Sequence, residues 1–330
     1  TFENCAIAEN NTLRNFLFLG NNQIVEFTRV FKDSKWNTPL NGSFGTPDFS
    51  NVENFSYCFA GSSYNHNINR LNFTAATDMS YMFAENKVFS NPILIRAPKL
   101  LTAQGMFRGS SFSSRLSIKG TSLLQDTSYL FAEMDTFPAY SSVDFAEFDT
   151  SSATDMSYMF YNNKSSALTN FPFNKFFATN SATTLEGMFK NSSFNFALHG
   201  KKITNVTNLK DFLRGTNFNS YFLKLGAGNN VNTLSGAFAE GNIIPIFFRD
   251  SFNTTSVTDL SFLFYKNSAY NQNLNFFNTS NVSNFESAFE GSIYNYGLGG
   301  WNVLKGTNFK NMFKNSSFTG KSIHLGWFNG

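Results

Sequence analysis

The sequence predicts a repeat solenoid, in which short units wind one above another around a shared apolar interior. Three observations lead there. An anchor closing a small apolar cluster, phenylalanine in eleven copies and Leu213 in one, recurs twelve times at intervals of 24 to 29 residues; apolar side chains just before it fall at i, i+3 and i+4; and the stretch after it alternates apolar and polar residues. A fixed period of this length marks stacked units, none of which buries its apolar face alone.

The recurring anchors are Phe31, Phe59, Phe83, Phe107, Phe131, Phe160, Phe189, Leu213, Phe238, Phe264, Phe289 and Phe313. With 43 Phe in 330 residues and only 14% charged residues, aromatic rings take the core role that aliphatic side chains usually fill, and disorder is excluded. The anchors are expected to stack as a Phe ladder.

Each unit reads in three parts. Phe285, Ala288 and Phe289 lie at i, i+3 and i+4, as do Met79, Met82 and Phe83, and Leu260, Leu263 and Phe264. That spacing predicts a short helix with one buried face. Ser, Thr, Asn or Asp precede it, as in Thr77-Asp78 and Thr258-Asp259, where side-chain oxygens can cap free backbone N–H groups. A polar break follows, such as Gly109-Ser110-Ser111. A second aromatic then stands five residues after the anchor (Trp36, Tyr64, Phe112, Phe194, Phe218, Tyr294, Phe318) or six (Phe89, Phe137, Tyr270). The remainder, as in Leu116-Ser117-Ile118-Lys119 and Ile323-His324-Leu325-Gly326-Trp327, has the two-residue period of a strand. Each coil is therefore expected to be a short helix plus a short strand, with the strands stacked into a parallel sheet.

Residues 1–23 lack the signature and are read as an N-terminal cap, and residues 24–330 as the twelve repeats with no obvious C-terminal cap. An uncapped end suggests that the chain continues or that this end docks on a partner, self-association included. The start at Thr1 suggests a removed leader or a fragment. Surplus residues around Ser43 to Phe49, Ala139 to Phe148 and Asn170 to Thr179 are expected to leave the stack as loops.

The search for chemistry returns little. His66, His199 and His324 fall in three separate coils, so no metal site is expected. Neither nucleotide-binding, zinc-protease, calcium-loop nor nucleophile-elbow motifs occur, and no cofactor or catalytic residue is assigned. N-x-[ST] sequons, Asn72 and Asn278 among them, occur at the frequency an Asn- and Ser/Thr-rich chain produces by chance. Two cysteines leave two readings open: Cys58, in the slot that holds Met82 and Met106 in other repeats, is a buried thiol, or it is bridged to Cys5. A net charge of +3 does not demand nucleic acid or a membrane, and no apolar run is long enough for a transmembrane segment.

The strand segments carry basic residues: Arg70, Arg96, Arg115, Lys119, Lys201, Lys202, Lys224, Arg249 and Lys321. On one face of a sheet they would form a stripe for a sulfated or phosphorylated polysaccharide; the plainer reading is a solvated face kept soluble by its charges.

Val257-Thr258-Asp259-Leu260-Ser261-Phe262-Leu263-Phe264, Thr77-Asp78-Met79-Ser80-Tyr81-Met82-Phe83 and Val282 to Trp301 together resemble the 25-residue repeat of BspA-type leucine-rich-repeat surface proteins, including the mycoplasma lipoprotein class. The resemblance implies a leucine-rich-repeat-like solenoid on a cell surface, associated with adhesion and with host or matrix binding, and brings no catalytic residues. The expectation is a non-catalytic, secreted or surface-displayed protein that attaches to a protein or polysaccharide on another cell or in a matrix. The alternative is a structural subunit of an extracellular fibre, surface layer or virion coat.

Overall fold

The computed structural model describes residues 24–37, 39–40, 48–144, 147–169, 178–195, 203–218, 230–244 and 252–320. The expected cap at 1–23 and the expected strand at 323–327 lie outside them, as do 41–47 and 170–177 in two of the expected loops. The chain forms two compact units, one comprising Thr1–Ala153 with Asn162–Leu168 and Phe176–Ala178, the other Thr154–Tyr161, Thr169–Lys175 and Thr179–Gly330.

Within each unit, successive repeats lie over one another in parallel. Single-residue bridges mark the register, running Glu26, Asn54, Asp78, Thr102, Asp126 in the first unit and Asp155, Thr184, Asn208, Thr233, Asp259, Asn284, Asn308 in the second. From Asn54 onward, each of these residues uses its side-chain oxygen to accept the N–H two positions on; Asp78 does so for Ser80 at 2.7 Å and Asp259 for Ser261 at 2.9 Å. The capping chemistry expected of these positions is present, but it opens a turn rather than a helix.

The helix-plus-strand coil is not what the chain builds. No α-helix occurs among the described residues; regular structure is limited to two three-residue 3-10 turns, Tyr140–Ser142 and Ser166–Leu168, and to three strands. These are β1 (Ile93–Arg96), β2 (Leu116–Lys119) and β3 (Val143–Asp144), joined in one small parallel sheet with Ile93 opposite Leu116 and Leu116 opposite Val143. Leu116–Lys119 is thus a strand as its alternation predicts, whereas Val143–Asp144, expected in a loop, joins the sheet.

In place of each helix runs a ribbon of consecutive turns. The N–H groups of Cys58, Ala60 and Ser62 bond three residues back, to the carbonyls of Phe55, Tyr57 and Phe59, while those of Phe55, Tyr57, Phe59 and Gly61 reach the next coil at Asp78, Ser80, Met82 and Ala84. The second unit repeats the scheme, with Phe262, Phe264 and Lys266 donating to Glu286, Ala288 and Glu290. Every ribbon holds two residues of positive φ, two positions before and two after the anchor: Tyr57 and Gly61, Tyr81 and Glu85, Phe262 and Lys266, and so on through twelve pairs. Positive φ at the third place of a turn is type II geometry.

A left-handed residue costs about 1–2 kcal/mol when it carries a side chain. None of the residues so placed is β-branched, the class for which the cost is greatest. In most coils the conformation turns these N–H groups along the stack, where the next coil's carbonyl satisfies them; Tyr57 N–H meets Ser80 O at 2.9 Å. A helix would have bonded the same groups within the coil, so the choice between ribbon and helix is made by the neighbouring coil.

The interior is aromatic. Phe31, Phe59, Phe83, Phe107 and Phe131 stack in one unbroken column, with centroids 5.4–5.8 Å apart. In the second unit Phe160 stacks on Phe189, and Phe238, Phe264, Phe289 and Phe313 continue the pattern beyond Leu213. Anchors from Phe31 to Phe289, Leu213 included, are buried, and Phe313 is half-buried. The second aromatics pack against the anchors, Tyr270 on Phe264 at 4.3 Å and Tyr64 on Phe59 at 4.5 Å. Burying each ring contributes about 2–3 kcal/mol, which outweighs the strain of its coil's two left-handed residues only when summed with the inter-coil hydrogen bonds.

Candidate functional site

Outward-facing side chains repeat from coil to coil, so they form columns. Two surfaces of the first unit gather charge in this way.

On the sheet, Arg96 and Lys119 are register partners. Glu147 reaches both, at 3.4 Å from Arg96 and 3.2 Å from Lys119, and Asp144 lies 3.5 Å from Lys119 while accepting a hydrogen bond from Ser117 Oγ at 3.3 Å. The hydrogen bond it donates to Glu147, then the charge of Asp144, hold the Lys119 ammonium above its ordinary pKa. Arg70 and Arg115 are exposed. Lys201, Lys202, Lys224, Arg249 and Lys321 lie outside the described residues. Of the basic stripe, the structure brings Arg96 and Lys119 together, and it sets two carboxylates against them.

The second surface is formed by the turn ribbons of the first four coils. A groove of about 340 Å³ runs there, lined by Lys32, Asp33, Tyr57, Ala60, Gly61, Tyr81, Ala84, Glu85 and Arg108. Tyr57 and Tyr81, each the first left-handed residue of its ribbon, stack at 4.8 Å in its lining. Asp33 and Glu85, each the second left-handed residue of its ribbon, line it as well. Glycines let these side chains lie flat on the following coil. A Cβ on Gly61 would stand 2.1 Å from Asp33 Oδ1, one on Gly105 2.4 Å from the Tyr81 ring, and one on Gly109 2.1 Å from Glu85 Oε1.

The charges of the groove are held by neighbours. Lys32 pairs with Asp33 at 2.6 Å, Lys87 with Glu85 at 3.4 Å and with the carbonyl of Gly109, and Arg108 makes two bonds to Glu133 at 2.9 and 3.1 Å. The Glu133 bond raises the Arg108 pKa above its ordinary value. Arg29 lies over Tyr57 at 5.3 Å, so a cation extends the tyrosine pair at one end, and Arg108 lies over the Tyr129 ring at 5.7 Å. Burial, then proximity to Tyr57, pushes the Tyr81 phenol pKa up. Tyr81 therefore stays protonated and can both donate and accept.

Sequence reasoning missed this groove because its residue types are unremarkable along the chain. The signal was the position two before and two after the anchors Phe59 to Phe131, where Gly105 falls among Tyr57, Tyr81 and Tyr129, and Gly61 and Gly109 among Glu85 and Glu133.

The remaining chemistry is sparse. His66 Nε2 lies 3.0 Å from the Asn37 carbonyl, and its ring meets Tyr64 edge-on; His199 and His324 lie outside the described residues. No group of three or more His, Cys, Asp or Glu that could hold a metal occurs among the described residues. Cys58 is a free thiol, fully buried, and burial pushes its pKa well up; Cys5 lies outside the described residues. No described helix is long and apolar enough to cross a membrane.

No curated protein and no solved structure matches the chain. A family match covers residues 25–139, 101–224 and 229–327, which together take in all but a few residues of the repeat region. The chain belongs to the family described as Mycoplasma protein of unknown function, DUF285.

Proposed function

We propose that this is a non-catalytic attachment protein, displayed on a cell surface or secreted, that binds a protein or polysaccharide on another cell or in a matrix. The observation that carries the reading is the turn-face groove, where Tyr57, Tyr81, Asp33, Glu85 and Arg108 are held in register by stacking, ion pairs and glycine floors. Side chains ordered before the ligand arrives lose little entropy on binding. The family is related to BspA-like repeat proteins, and the resemblance of this chain to BspA-type surface proteins points the same way.

Beads coated with the purified chain should be retained on epithelial monolayers or matrix-coated plates, and excess soluble chain should displace them. Retention equal to that of uncoated beads, or assembly of the purified chain into filaments under electron microscopy, would overturn the reading.

A further inference from the structure

We infer that the turn-face groove of the first unit takes an uncharged oligosaccharide, a di- or trisaccharide segment of a neutral glycan. The inference rests on the attachment reading and narrows it to one ligand class and one site.

Charge is the first argument. Lys32, Asp33, Glu85 and Arg108 line the groove with two cations and two anions, and each has an oppositely charged neighbour within 3.4 Å. A polyanion would meet Asp33 and Glu85, and a polycation would meet Lys32 and Arg108, so either class suffers repulsion from half of the lining. A ligand without net charge escapes both. The sheet surface fails as a polyanion site for a related reason, because Glu147 and Asp144 stand against Arg96 and Lys119.

Hydrogen-bonding capacity is the second. Carboxylates accept, Lys32 and Arg108 donate, and the phenols of Tyr57 and Tyr81 do both. Sugar hydroxyls, each both donor and acceptor, can answer every one of these groups. The tyrosine faces are already covered, Tyr57 by Arg29 and Tyr81, and Tyr81 by the backbone at Gly105. The rings therefore offer edges and hydroxyls rather than open faces, which suits a polyol better than an apolar or aromatic ligand.

Dimensions are the third. From Asp33 to Arg108 the groove crosses three coil steps, about 14 Å at the ~4.8 Å spacing of neighbouring parallel strands. A pyranose ring built from ~1.5 Å bonds spans about 5 Å, so two or three linked rings fill that length.

Maltotriose, cellotriose, mannotriose and N-acetylchitotriose should be titrated into the full chain, followed by calorimetry and by NMR shifts of the tyrosine ring signals, with a heparin hexasaccharide and tetralysine as charged probes. At least one neutral trisaccharide should bind. Asp33→Asn and Tyr81→Phe, tested separately because each conserves shape, should each weaken it about fivefold to tenfold through a lost hydrogen bond. Glu147→Ala, on the sheet, should leave it unchanged. Failure of all four neutral sugars, binding of only the heparin or tetralysine probe, or sugar binding indifferent to both groove variants would overturn the inference. Cell or matrix retention that persists while every neutral sugar fails would keep the attachment reading and remove this one.

Discussion

The side-chain oxygen of Asn267 accepts the backbone N–H of Tyr270 at 2.8 Å, and that bond decides where the second aromatic of its coil stands. Asn267 also accepts from Ala269, and its amide donates to the carbonyls of Phe238 and Ile243 in the preceding coil, both at 3.0 Å. Asn86 does the same for Val88 and Phe89. Where the residue three after the anchor is Ser instead, as at Ser62, Ser192 and Ser292, the shorter side chain reaches only the N–H two residues on, and the aromatic follows at Tyr64, Phe194 and Tyr294. The shift of the second aromatic from five to six residues after the anchor at Phe89 and Tyr270 thus has a one-atom cause: Asn is longer than Ser.

Asn267→Ala should destabilise the protein by about 3 kcal/mol or more, since two buried carbonyls and two N–H groups lose their partner together. Equilibrium denaturation measures it, and a change below about 0.5 kcal/mol would show that water replaces the amide.

Phe264 touches Phe238, Tyr270 and Phe289 at centroid distances of 5.6, 4.3 and 6.0 Å. Phe264→Ala should cost about 3–5 kcal/mol by leaving a cavity in a fully buried column. A midpoint unmoved in thermal denaturation would place that ring outside the core.

Gly105 has φ +56°, and the Tyr81 ring occupies the place of its missing Cβ. Gly105→Ala should therefore cost about 2 kcal/mol, combining left-handed strain with displacement of the ring. Removing the ring as well, in Tyr81→Ala/Gly105→Ala, should recover part of the loss, and a double-mutant cycle should return a coupling of about 0.5–3 kcal/mol. Additive effects would mean that the two residues do not share that space.

The hydrogen bonds from Arg214, 2.7 and 3.2 Å long, hold the Glu240 carboxyl below its ordinary value of about 4.5. A depressed carboxylate contributes stability that is present above its unfolded pKa and is lost as pH falls through the folded one. Stability should decline as pH drops below about 4.5, and less steeply for Glu240→Gln than for the parent. Parallel pH profiles from denaturant titrations would remove Glu240 from the acid response.

Cys58 is buried and its thiol pKa is raised, so it should resist iodoacetamide in the native protein and react once the chain is unfolded. Peptide mapping by mass spectrometry reads the outcome. Labelling of Cys58 under native conditions would contradict the burial, and a Cys5–Cys58 peptide in a non-reducing digest would establish the bridge instead.

Much of the candidate site was hidden for a reason that Tyr81 illustrates. Nothing in a tyrosine two residues before an anchor announces positive φ, since Gly and Asn are the usual occupants of that conformation. Only the Ser80 carbonyl waiting for Tyr57 N–H, and the Gln104 carbonyl waiting for Tyr81 N–H, make it worthwhile. Asp144 and Glu147 stand out in the sequence as the few acids near the basic stripe, but that Glu147 pairs with both Arg96 and Lys119 was not legible, because it lies 51 and 28 residues further along the chain.

The amino-acid sequence by itself determined the period, the identity of the anchors and the alternation at Leu116–Lys119, because apolar side chains must be buried wherever they recur. It also determined which face turns inward in units such as that of Phe285, Ala288 and Phe289, all buried, although Phe309 at the same place in the last described unit is exposed. The backbone that carries them was decided by tertiary structure alone. Spacing of i, i+3 and i+4 is common to an α-helix and to a ribbon of four-residue turns, and the two differ in where the N–H groups go. In the helix they close within the coil; here alternate ones cross to the next, so the conformation of each repeat exists only because another repeat lies against it.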